Sequence, residues 1–164
     1  MDTTTLLALA ALCAPQVHAT TVLAIVKVES SANPHAIGVV GGSLQRQPRH
    51  RAEAIATAHA LQAAGWNFSV GLGQINVGNF ARLGLTTESA FEPCTNLAAL
   101  QAVLGECYGR AAGDPQTALR HALSCYYSGN FSTGFQHGYV GRVVAATRPL
   151  GHSTPATPAI PEVP

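Results

Sequence analysis

The stretch Val22-Leu23-Ala24-Ile25-Val26-Lys27-Val28-Glu29-Ser30 decides how this chain is read. Val22, Ile25 and Val26 fall at i, i+3 and i+4, the spacing that lines one face of an α-helix, and the next position on that face, i+7, is Glu29. Ala52 to Ala64 is a run of strong helix formers stopped by Gly65. Asn96 to Arg110 reads as a helix bounded by Gly113-Asp114-Pro115. Gln116 to Tyr127 reads as its antiparallel partner, with Pro115 where a first-turn proline fits and Ser128-Gly129 at the far end. A last helix covers Tyr139 to Thr147, and only short extended pieces, around Asn67 to Val70, could pair as strands. The expected fold is mainly α.

The length is that of one domain, with 47% hydrophobic residues to supply its core. Charged residues make up 10% and the formal net charge is +1, so there is no basic field for a nucleic acid and none is expected as partner. No run of eighteen apolar residues occurs, so no transmembrane segment is expected and the protein reads as soluble, with nothing that points beyond a monomer. Leu6 to Leu12 could be the apolar region of a secretory signal, but no Lys or Arg precedes it. Asp2 and the threonines before it form a helix N-cap pattern instead, so we read a first domain helix and find no evident export signal. Two stretches break the helical pattern. Gly38 to Arg51 reads as a long loop beside the helix that carries Glu29, and the proline-rich tail 148–164 is expected to be disordered, its part 154–164 dispensable for activity and stability. The domain is therefore placed at 1–147.

Glu29 on an apolar stripe should point to the core or a cleft, where its pKa would rise and leave it protonated near neutral pH, as a general acid requires. The alternative is a helix-terminal glutamate that turns back to water, since Ser30-Ser31-Ala32-Asn33-Pro34 ends the helix. In Gly71-Leu72-Gly73-Gln74-Ile75-Asn76, two glycines would let the backbone approach a bound chain, and Gln74 and Asn76 could each donate and accept hydrogen bonds to sugar groups. A plain turn is the other reading. Tyr126 and Tyr127 stand beside a glycine turn, either lining a cleft with their hydroxyls or divided between core and surface. The seven histidines show no His-Glu-x-x-His arrangement and the four cysteines no Cys-x-x-Cys pair, so no metal and no cofactor is expected.

Taken together, Glu29-Ser30 with Asn33-Pro34-His35-Ala36, then Gly71 to Asn76, then Cys125-Tyr126-Tyr127-Ser128-Gly129-Asn130 resemble the soluble lytic transglycosylase family in order and spacing. The likeness extends from about Leu6 to Thr147. It is greatest to the branch encoded with type IV secretion and conjugation systems, where Gly-Leu-Gly-Gln-Ile-Asn and Pro93-Cys94-x-Asn96-Leu97 patterns recur. The resemblance implies a lysozyme-like helical domain with Glu29 as acid and base. It places Ser30, Gly73, Gln74, Asn76, Tyr126 and Tyr127 at the substrate, with Tyr126 matching the family's active-site tyrosine. The family often has Ala-Tyr-Asn where this chain has Cys125-Tyr126-Tyr127.

The implied reaction is cleavage of the MurNAc-GlcNAc β-1,4 bond of peptidoglycan strands to a 1,6-anhydro product, in the periplasm of a Gram-negative bacterium, with secretion-system components as partners. A two-carboxylate glycosidase needs a second acid, and of the eight acids none but Glu29 has such a context. Two alternatives stand beside it: a cysteine peptidase of peptide stems with His121 or His137 as base, and a non-catalytic glycan-binding subunit. We expect Cys13 to pair with Cys94, tying the first helix to the loop before the hairpin. Cys107 should pair with Cys125 across the hairpin, because the two lie on either side of its turn.

Overall fold

The computed structural model describes residues 1–147. The proline-rich tail from Arg148 therefore lies outside the described residues. Helix α1 spans Thr3–Cys13 and α2 spans Ala19–Ser30, and the Asp2 carboxylate caps α1 by accepting from the Thr5 amide. Leu6, Ala10 and Cys13 face inward from α1. Val22, Ile25 and Val26 of α2 are fully buried, as their spacing requires.

Strand β1, Ile37–Val39, comes next, so the segment expected to be loop from Gly38 begins as sheet edge. The remainder is held by its own polar groups. The Gln47 side chain both accepts from the Ile37 amide (2.8 Å) and donates to the Ile37 carbonyl (2.9 Å), standing in for a neighbouring strand. Arg46 pairs with Glu53 at the start of α3, Arg51–Ala63, which Gly65 follows at φ +73°.

Strands β2, Phe68–Val70, and β3, Ile75–Asn76, complete an antiparallel sheet in the order β1-β2-β3, with Ile37 opposite Val70 and Val70 opposite Ile75. The four residues Gly71 to Gln74 join β2 to β3. A short helix α4, Thr87–Ala90, precedes the hairpin of α5, Pro93–Arg110, and α6, Pro115–Ser128. Both hairpin helices open on a proline at the first position, where the missing N–H costs nothing. The expectation of a helix from Asn96 is corrected by that proline: α5 starts earlier, and Cys94 sits in its first turn instead of in a loop. Helices α7, Thr133–Gln136, and α8, Tyr139–Ala146, close the fold, with α8 packed on α2.

The core is apolar and contiguous, and Leu97, Leu100, Phe68, Leu72, Ile25 and Tyr139 are among its fully buried side chains. Both expected disulfides are present, Cys13–Cys94 with Cα atoms 5.2 Å apart and Cys107–Cys125 at 5.7 Å. Among the described residues, no helix is long and apolar enough to cross a membrane.

Candidate active site

A cleft of about 800 Å3 runs between the sheet and the α5–α6 hairpin, with Glu29 in its lining. The carboxylate arrives there because α2 ends on Ser30 and Ser31, the latter in the left-handed region at φ 52°, with Ala32 at φ 61° after it. Non-glycine residues with positive φ are strained, and here two come in succession just past Ser30, the neighbour of the candidate acid. Gln74, across the cleft, is a third at φ 49°.

Glu29 is half-buried, and Tyr139 donates a hydrogen bond of 2.6 Å to its Oε1. Burial pushes the Glu29 carboxyl up to about 7 from an ordinary 4.5; the Tyr139 hydrogen bond and the charge of Arg142 pull the other way without prevailing. Half-buried and bonded to Tyr139, the side chain does not turn out to open water. Tyr139 is itself 1% exposed and its ring stacks on Tyr127, with centroids 4.6 Å apart at 17°. Burial and the neighbouring Glu29 hold its phenol well above the usual range, so it stays a donor.

Gln74, Asn76, Tyr126 and Tyr127 all line the same cleft. Ser30 and Gly73 do not, and the direct contact expected of them is corrected by their bonding. The Ser30 hydroxyl donates to the carbonyls of Val26 (3.1 Å) and Leu72 (2.8 Å), fastening the end of α2 to the β2–β3 link. The Gly73 amide donates to Asn96 Oδ1 (2.8 Å), and its carbonyl accepts from the Tyr126 hydroxyl (2.6 Å). Tyr126 thus holds the wall through its hydroxyl, and its phenol is raised well above 10 by burial and then by Glu29.

The two glycines have a different purpose from the one expected. A Cβ at Gly71 would run into the Asn96 side-chain amide, and one at Gly73 would meet the Tyr126 hydroxyl at 2.9 Å and Leu100 at 3.0 Å. They make room for the protein's own side chains. Gln74 is likewise half occupied. Its Nε2 donates to the carbonyls of Ala36 (3.1 Å) and Gly71 (3.0 Å), so only Oε1 remains for a ligand, as an acceptor. Asn76 Nδ2 donates to Asn67 and Ser69, and its Oδ1 accepts from the Gly78 amide.

Sequence reasoning missed three residues. Tyr139 stands at the start of the last helix, where the sequence alone assigns it no role. Asn96, 1% exposed, accepts from Gly73 and donates to the carbonyls of Val70 (3.0 Å) and Ala90 (2.8 Å), and it holds β2, the link and α4 together. Glu106 lines the cleft, against the expectation that no other acid shares Glu29's surroundings. It is exposed, however, and paired with Arg82 at 2.6 Å. The cysteine-peptidase alternative is contradicted outright, because all four cysteines are joined in disulfides and no thiol is left as nucleophile.

The profile of the Transglycosylase SLT domain matches residues 7–146. The chain is 50% identical over 157 residues to "Type IV secretion system protein virB1" of Brucella abortus biovar 1, which covers 88% of this chain and 66% of that protein. It is 40% identical over 142 residues to "Protein virB1" of Agrobacterium fabrum, covering 84% of this chain and 57% of the relative, and 41% identical to the protein of that name from Rhizobium radiobacter, covering 84% and 59%. The chain thus spans just under two thirds of the length of the Brucella relative. No solved structure matches.

Proposed function

The chain belongs to the transglycosylase SLT family, whose domain is lysozyme-like, and from that premise we propose that it is a peptidoglycan lytic transglycosylase with Glu29 as its acid and base. The observation that carries the reading is the setting of Glu29: a carboxyl pushed up to about 7, held by Tyr139, facing a cleft walled mostly by neutral amides, aromatic rings and apolar groups. A group poised near neutrality gives up and takes back a proton with little cost in either direction, a contribution of roughly a hundredfold to ten-thousandfold in rate.

Glu29 gives its proton to the glycosidic oxygen as the bond from the muramic anomeric carbon breaks. The substrate's own N-acetyl group supports that carbon. The muramic 6-hydroxyl then attacks it, and its proton returns to Glu29, which leaves a 1,6-anhydro end and no need of a cofactor. The reading takes the site of action to be the periplasm of a Gram-negative cell, where a strand-cleaving enzyme would meet peptidoglycan. The names of the relatives support a task in opening the wall for a type IV secretion apparatus.

Purified sacculi test the reading. The protein should release soluble muropeptides and Glu29→Gln should not, at equal amounts of folded protein. Binding of sacculi with no release by the unaltered chain would favour the non-catalytic glycan-binding alternative. A second catalytic reading, hydrolysis with Glu106 as partner acid, is favoured only by the place of Glu106 in the cleft lining.

A further inference from the structure

Arg110 is the last residue of α5 and lines the cleft from the hairpin side. Its Nη2 approaches Cys125 Sγ at 3.0 Å and Cys107 Sγ at 3.8 Å, and the guanidinium carbon lies 6.0 Å from the centre of the Phe131 ring. Disulfide sulfurs are weak acceptors and a guanidinium carries five N–H donors, so the head is located by its neighbours while its hydrogen bonding is left nearly unused. Among the described residues no carboxylate or carbonyl oxygen receives a bond from it.

The charge around it makes the position distinctive. Arg82 and Glu106, which also line the cleft, are paired with each other at 2.6 Å. Glu29, with its carboxyl protonated over much of the range below neutrality, adds little negative charge. Among the described residues of the lining, Arg110 is then the cation without an ion-pair partner, and it is exposed. The disulfide beneath it and Phe131 beside it restrict the side chain before any ligand arrives, which lowers the entropy lost on binding.

We propose that Arg110 forms an acidic-group subsite that selects glycan strands carrying carboxylates over neutral ones, taking either the lactyl carboxylate of an unsubstituted muramic residue or a carboxylate of its peptide stem. The inference rests on the transglycosylase reading for its ligand, since a planar guanidinium matches a carboxylate by two parallel N–H···O bonds. Neutral amino-sugar chains would pass over Arg110 without such a contact.

Binding separates this from the chemistry. Glu29→Gln and the double variant Glu29→Gln/Arg110→Ala are titrated with three soluble tetrasaccharides: chitotetraose, an alternating GlcNAc–MurNAc chain with free lactyl groups, and the same chain with stems. The Arg110→Ala change should weaken the carboxylate-bearing ligands about tenfold or more and leave chitotetraose unchanged. Arg110→Lys should restore only part of the affinity, with a steeper dependence on salt. A loss confined to the stem-bearing chain assigns the subsite to the stem, and a loss on the bare muramyl chain assigns it to the lactyl group. Equal affinities with and without Arg110, equal losses for all three ligands, or no binding of any fragment would each overturn the inference. Failure of the unaltered chain to release muropeptides from sacculi would overturn the transglycosylase reading separately, because the binding comparison does not require turnover.

Discussion

Glu29 is costly to ionise in its place, and the cost has a sign that can be measured. Its folded pKa, about 7, lies above the 4.5 of an ordinary glutamate, so between those values the folded chain binds more protons than the unfolded one. Stability from this group is fully present below pH 4.5 and falls as pH rises through about 7. Glu29→Gln removes the titration while its Oε1 still accepts from Tyr139. Thermal melts of the two proteins should therefore diverge as pH climbs through that window, with the variant the more stable at the alkaline end. Identical pH profiles would show that Glu29 is solvated. Cleavage of sacculi should fall by roughly a hundredfold or more in the same variant, the contribution of a general acid. Tyr139→Phe tests the positioning partner. Without the donated bond the Glu29 pKa rises further, so the alkaline fall in kcat/KM should move to higher pH while stability drops by about 1 kcal/mol. A lower kcat with an unmoved pH profile would mean that Tyr139 only fills space. Glu29 was legible because a carboxylate on an apolar helical stripe is a local anomaly. Tyr139 was not, because it lies 110 residues from Glu29 and a tyrosine at a helix start is unremarkable without its partner.

At the scale of elements, the cleft wall depends on side chains that satisfy backbone groups outside their own helices. Asn96 on α5 does this for Gly73, Val70 and Ala90, all in a buried setting. Asn96→Ala would leave one N–H and two carbonyls without partners, at about 1 to 3 kcal/mol for each group that water cannot reach. Urea unfolding should show a loss of about 3 kcal/mol or more, and a loss below about 1 kcal/mol would mean that water replaces the amide. The Cys107–Cys125 bridge closes the hairpin over a separation of 18 residues, and replacing both cysteines by serine should lower stability by about 2 to 4 kcal/mol. Peptide mapping that found any linkage other than 13–94 and 107–125 would contradict this geometry. The long helices were readable because periodicity and glycine stops are written within each segment, and the cysteine pairing followed from where those helices place the four cysteines. The short helices α4 and α7 carry too few residues for a period to show. The purpose of Gly71 and Gly73 was misread for a related reason: the atoms that need the space belong to α5 and α6, far along the chain.

Across the whole molecule, the sheet and the hairpin bring two carboxylates to one cleft, and their surroundings differ enough to decide the reaction. Glu29 is half-buried and bonded to a neutral phenol, whereas the Glu106 side chain is 54% exposed and its Oε1 is taken by Arg82 at 2.6 Å. A two-carboxylate hydrolase needs its second acid free to bind water or to attack the sugar, and an oxygen already held by a guanidinium is poorly suited to either. Glu106→Gln should accordingly lower turnover by no more than about tenfold, well short of the hundredfold to ten-thousandfold expected for loss of a catalytic base. Its effect on stability should be small, because an exposed ion pair contributes about 0 to 1 kcal/mol. Mass analysis of the released fragments gives the independent check. Attack by the muramic 6-hydroxyl forms an internal bond where hydrolysis would add water, so each new end should be lighter than a hydrolytic product by one water and should not be reducible by borohydride. Reducing ends from the unaltered chain, together with loss of cleavage in Glu106→Gln, would make Glu106 the missing base and the protein a hydrolase. With anhydro ends and an active Glu106→Gln variant, one titratable carboxyl and the substrate's own groups account for the whole reaction.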